Sequence, residues 1–101
     1  MLDIGCGSGG LAGPLRQVGF QWLGLEPDHA AAASCAKAGH LVMRADAREL
    51  PFPDMSFEAA IFLNSLHHVP NALMDTALAE AARVARKVII VEPRAYGDLF
   101  D

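Results

Sequence analysis

The sequence has no cluster of lysine or arginine, and its eight basic residues are set against twelve acidic ones, for a formal net charge of -4. A nucleic-acid backbone is held by concentrated positive charge, so that class of partner is excluded and a small molecule is favoured. Cysteine occurs only twice, at Cys6 and Cys35, far apart in the chain and without a C-x-x-C pair. This excludes a disulfide framework and a zinc site, and leaves free thiols as the expectation for a reducing cytosol. No basic segment followed by an apolar stretch opens the chain, and no run approaches the ~20 apolar residues of a membrane span. A soluble, cytoplasmic protein is expected. Internal repeats and low-complexity linkers are lacking as well. What is present is a 101-residue chain that is 52% hydrophobic, enough for one packed domain and too apolar for disorder.

The organising stretch is Met1-Leu2-Asp3-Ile4-Gly5-Cys6-Gly7-Ser8-Gly9-Gly10. A short apolar run carries a carboxylate, glycines recur at every second position, and an apolar helical pattern follows at Leu11, Leu15 and Val18. This reads as strand, tight loop and helix, a seat where a ligand can lie directly against the backbone. Gly5, Gly7 and Gly10 also satisfy the dinucleotide spacing G-x-G-x-x-G, a weak pattern when it stands alone. Asp3 argues against a nicotinamide dinucleotide. At the carboxyl end of the strand, where open parallel sheets bind ligands, its charge would repel a pyrophosphate and welcome an ammonium or sulfonium group. Asp3 is also expected to hydrogen-bond the loop's own N–H groups and set its shape.

Further on, Phe20 to Leu25 reads as a second strand ending at Glu26. An acid about 20 residues beyond the glycine loop, at this strand tip, is placed to accept hydrogen bonds from ribose hydroxyls. Asp28 is placed to cap an alanine-rich helix running to Ala38, with Gly39 beyond its end. His29 and His40, which bracket that helix, have no partner at metal-ligand spacing and read as surface or packing residues. Leu41 to Met43 is a third strand, followed by Asp46, whose carboxylate could accept an adenine amino group or start the short turn Ala47 to Leu50. Ala47 offers a backbone N–H to a ring nitrogen. Pro51 to Ser56 is loop, and Phe57 to Leu63 is a strand buried on both faces. Asn64 ends it, and His67 and His68 follow, where a histidine could orient a substrate, accept a proton or bond the neighbouring backbone. Asn71 is placed to cap a helix whose wide apolar face carries Leu73, Ala77, Ala81 and Val84. A last strand runs from Val88 to Val91, and Arg94 to Asp101 is a tail. The alternation of strands and helices gives a single three-layer α/β domain.

The segments Asp3 to Gly9, Glu26, Asp46 and Leu50-Pro51-Phe52-Pro53-Asp54-Met55-Ser56-Phe57-Glu58 together resemble the class I S-adenosylmethionine-dependent methyltransferases. With Leu66-His67-His68-Val69 and Glu80-Ala81-Ala82-Arg83-Val84 they are most similar to the small-molecule branch that includes the ubiquinone and menaquinone methyltransferases. The resemblance covers nearly the whole chain. It implies a Rossmann-like three-layer sandwich with a mostly parallel sheet, truncated to about five strands. It implies S-adenosylmethionine as cofactor, with the loop of Asp3, Gly5, Cys6, Gly7 and Gly9 holding the methionine part. Glu26 would then hold the ribose, Asp46 and Ala47 the adenine, and Asn64 would lie near the transferred methyl group. His67 and His68 would lie near a small-molecule acceptor.

Two departures from the family stand out. The Leu-Lys-Pro-Gly-Gly turn usual before the fifth strand is replaced by Val84-Ala85-Arg86-Lys87. The later strands, a longer first strand and an N-terminal lid are missing, so the domain is expected to be incomplete at both ends, with an open sheet edge that invites a homodimer. A non-catalytic cofactor-binding module is the alternative reading. Amino-directed DNA methylation is disfavoured, because Asn64-Ser65-Leu66-His67 lacks the Pro-Pro-aromatic continuation.

Overall fold

In the computed structural model, which describes residues 1–63, 65–66 and 69–92, five strands and three helices alternate along the chain. They are β1 (Leu2–Ile4), α1 (Ala12–Gln17), β2 (Leu23–Leu25), α2 (His29–Lys37), β3 (Val42–Met43), β4 (Phe57–Leu63), α3 (Asn71–Val84) and β5 (Ala85–Val91). The sheet order is β3-β2-β1-β4-β5 and every pairing is parallel. The order reverses between β1 and β4, the topological switch point at which such sheets bind ligands beyond their carboxyl ends. The expected Rossmann-like parallel sheet is what forms.

Alternation along β1 divides the core in two, because successive side chains of a strand point to opposite faces. Leu2 and Ile4 face α3 and join Leu25, Ala60, Phe62, Ala81 and Val84 in the larger apolar cluster. Asp3 points the other way. On that face Trp22, Ala12 of α1 and Cys35 of α2 form a second cluster, with Cys6 packed against it.

Several boundaries differ from those expected, by one residue at the start of β3 and the end of α2 and with clearer physical causes elsewhere. β2 starts at Leu23, since Phe20 and Gln21 are exposed and Gly19, at φ +95°, has turned the chain just before them. α1 starts at Ala12 and keeps Pro14 in its first turn, where proline is tolerated. Asn71 is not the cap of α3 but its first residue; Pro70 holds the cap position, and no side-chain cap bond forms. β5 starts at Ala85, three residues earlier than expected, because Ala85 already pairs with Phe57. Helix α3 therefore passes into the strand with no connecting residue, which is how the missing glycine turn is replaced. The cap at Asp28 forms as expected, its carboxylate accepting the Ala31 N–H at 2.9 Å.

Candidate cofactor site

A cavity of about 310 Å³ opens beyond the carboxyl ends of the strands. Gly5, Glu26, Asp46 and Ala47 line its polar side, and Ile4, Phe62, Val69 and Leu73 are among the apolar residues facing them. Four of the residues singled out from sequence thus meet around one space. Asp3, Cys6, Gly7 and Gly9 lie in and under the adjoining loop rather than in the cavity wall. Asn64, His67 and His68 lie outside the described residues.

The loop is anchored from β2. The N–H groups of Gly5 and Cys6 both donate to the Leu25 carbonyl, at 2.8 and 3.0 Å. Gly5 adopts φ +74°, and a Cβ there would stand 2.6 Å from the Ser65 Cβ, so only glycine fits. Ser65 itself donates its hydroxyl to the Ile4 carbonyl at 2.6 Å, tying the segment after β4 to the end of β1.

Glu26, buried at the tip of β2, does what was expected of Asp3. One of its oxygens accepts the Gly7 N–H at 2.7 Å and the other accepts the Asp28 N–H at 2.9 Å. It fastens the glycine loop to the start of α2. A carboxylate has about four acceptor positions, so these bonds leave lone pairs for hydroxyl donors in the cavity.

Asp3 has a different partner. Its carboxylate is 3% exposed and accepts the indole N–H of Trp22 at 3.0 Å. Burial pushes the carboxyl up to about 6, the indole bond pulls it down, and the charge of Glu26 adds to the rise. The cysteines, far apart in sequence, are brought together: Cys6 packs against the cluster that holds Cys35, its thiol donates to the Gly7 carbonyl at 3.6 Å, and both cysteines are free. Burial raises both thiols, so the thiol form prevails. Among the described residues no group of His, Cys, Asp and Glu is arranged to hold a metal ion.

Asp46 lies at the cavity edge in the turn that was its alternative assignment. One oxygen accepts the Arg48 backbone N–H at 2.8 Å and its Nε–H at 2.9 Å, and Arg48 Nη2 donates to the other. Those bonds hold the Asp46 carboxyl below the usual range. Trp22, Ser65 and Arg48 were not anticipated. Trp22 was the legible one, since residues 22 and 24 share a strand face with each other and a tryptophan beside Gly24 has room to cover the sheet.

Comparison with known proteins decides the family. A model of the methyltransferase domain matches residues 2–89. The chain belongs to that methyltransferase family. A fatty-acid O-methyltransferase from Mycolicibacterium smegmatis is 36% identical over 94 residues, which are 85% of this chain and 33% of that protein. An uncharacterized methyltransferase of Mycobacterium sp. strain JLS is 37% identical over 75 residues, 70% of this chain and 29% of the relative. This methyltransferase chain therefore spans about a third of the length of such relatives. Among solved structures, a SAM-dependent methyltransferase from Thermotoga maritima, described as a possible histamine N-methyltransferase, superposes with a TM-score of 0.76 at 32% identity. The superposition covers 88% of this chain and 42% of that one. A SAM-dependent methyltransferase from Methanosarcina mazei gives 0.77 at 27% identity, over 83% and 46%. Family and neighbours imply S-adenosylmethionine as the cofactor.

Proposed function

We propose that the protein of which this chain forms the cofactor-binding domain transfers a methyl group from S-adenosylmethionine to a small-molecule acceptor. The observation that carries this reading is the convergence of Gly5, Glu26, Asp46 and Ala47 on one cavity at the switch point of the sheet. Glu26 supplies acceptor oxygens for a ribose, and Asp46 and Ala47 supply an acceptor and an N–H for an adenine. Gly5, Gly7 and Gly9 provide backbone without side chains for the methionine part, over the buried charge of Asp3. Transfer from a sulfonium is an in-line displacement, so the work of these residues is to hold the donor and keep water away. Asn64, His67 and His68, carried over from the family pattern, are proposed to border the methyl group and the acceptor.

The apolar wall of Phe62, Val69 and Leu73 favours an acceptor with a hydrocarbon body. That agrees with the fatty-acid relative and with the quinone-methyltransferase likeness of residues 50–58. Free thiols at Cys6 and Cys35 accord with a cytoplasmic setting.

Calorimetric titration with S-adenosylmethionine and S-adenosylhomocysteine tests the reading. Binding is expected, weakened by about tenfold or more in Glu26→Ala, which loses both the ribose acceptor and the grip on Gly7. No binding, or binding indifferent to that substitution, sinks the proposal. A second reading, a fold that performs no methyl transfer, draws on the [4+2]-cyclase SpnF, which superposes at a TM-score of 0.76 and 29% identity. Transfer of labelled methyl to any fatty acid or quinol rules it out.

A further inference from the structure

The face of the sheet opposite the cavity holds a buried carboxylate whose partner comes from outside the glycine loop. Asp3 is sealed beneath the glycine loop, and the side chain bonded to it is the indole of Trp22, itself 4% exposed. Three packing relations fix the indole. Gly24 leaves room for its ring, since a Cβ there would stand 2.5 Å from Trp22 Cη2. His40 packs edge-on against it with ring centroids 5.8 Å apart, and Ala12 and Cys35 close the cluster. The ring has one place to go, and its N–H points at Asp3.

We infer that Trp22 is a positioning residue for the cofactor site: its indole N–H fixes the Asp3 carboxylate under the glycine loop, ready to act on the cationic end of a bound cofactor. The inference rests on the cofactor reading above. Asp3 does not line the cavity, so it acts through the loop by charge, and in a poorly solvated interior such an interaction is strong. That charge is costly to keep. A buried carboxylate without a donor takes up a proton instead, and burial already brings Asp3 close to doing so near neutral pH. The groups around it offer little other help. Glu26 from β2 is a like charge, and Cys6 from the loop and Cys35 from α2 are thiols. Arg16 of α1 acts on Cys35, and His40 packs edge-on against Trp22. The indole donor is what favours the charged form.

The test is the pH profile of S-adenosylhomocysteine binding, a ligand that keeps the ammonium group and is not consumed. For the wild-type protein, affinity is expected to fall about tenfold between about pH 8 and about pH 5 as Asp3 is neutralised. Trp22→Phe keeps a ring but removes the donor, and its midpoint is expected about one pH unit higher. The variant then binds almost normally at about pH 8, about twofold more weakly at about pH 7 and several-fold more weakly at about pH 6. Equal midpoints for wild type and Trp22→Phe, or a loss uniform across pH, overturns the inference.

A measurement on the unaltered chain covers the case in which Trp22→Phe does not fold. The sequence has one tryptophan, so one indole N–H resonance reports this bond. It is expected to titrate with a midpoint of about 6 and to shift to lower pH on saturation with S-adenosylhomocysteine. An indole resonance that does not titrate overturns the inference. Absence of binding by the wild-type protein at every pH overturns the cofactor reading as well, whereas binding with unshifted midpoints overturns the inference alone.

Discussion

Burial raises the Asp3 carboxyl from its ordinary 3.8 to about 6, and this sets folding against binding at a single residue. The folded chain holds the proton more tightly than the unfolded chain. The stability from this group is therefore fully present below about pH 4 and is lost as pH rises through the window up to about 6. At 1.36 kcal/mol per pH unit, the charged form costs about 3 kcal/mol at neutral pH. Asp3→Asn removes that cost and keeps an oxygen for the Trp22 indole. Its expected outcome is a cofactor-free protein up to about 3 kcal/mol more stable near pH 7, with the gain vanishing towards pH 4, and weaker cofactor binding near pH 7 that converges on the wild type as pH falls below about 6. Denaturant melts at the two pH values check it. The position of Asp3 was legible from the glycine spacing, but its partner was not. A loop full of N–H groups lies next to Asp3 in sequence, whereas Trp22 lies 19 residues away and reaches it only because β1 and β2 pair in register, Leu2 against Leu23.

Among elements, α3 carries more than an apolar face. Glu80 and Arg83, one turn apart on it, hold the loop between the cavity wall and β4. Arg83 donates to the carbonyls of Leu50 at 2.9 Å and Phe52 at 2.7 Å and to the Asp54 carboxylate at 3.0 Å; Glu80 accepts the Leu50 N–H at 2.9 Å. Arg83 Nε–H and Glu80 close the network at 2.8 Å. Periodicity shows which face of α3 is apolar but not that a distant loop lies against the polar one, so this network was not legible from the sequence. The loop's own prolines were legible, and they leave Leu50 and Phe52 with carbonyls that a helix side chain must satisfy. Arg83→Leu is expected to lower the thermal midpoint and, by freeing the segment that follows Asp46 and Ala47, to weaken S-adenosylhomocysteine binding. The bond to Arg83 holds the Glu80 carboxyl down at about 2. Its contribution is therefore present above its ordinary 4.5 and lost as pH falls towards 2, a direction opposite to that of Asp3, and the Arg83→Leu deficit should shrink in acid accordingly.

For the whole molecule, the strand order explains which parts of the sequence reading were secure. Apolar runs bounded by Gly39, Pro53 and Pro93 marked elements, and the glycine loop with Glu26 marked the end of the sheet where they converge. Boundaries moved where pairing overrode local signals, as at Ala85, which belongs to the strand because Phe57 is there to meet it. The same order leaves two unlike edges. β3 is two residues long, a short edge of the kind that resists further pairing, whereas β5 runs for seven. Arg86 and Lys87 charge its first half, but Ile89, Ile90 and Val91 are 38%, 48% and 44% exposed in its second. Ile90→Lys places a charge in the middle of this second half and is expected to leave S-adenosylhomocysteine affinity unchanged in calorimetric titration, because the cavity lies on the far side of β4.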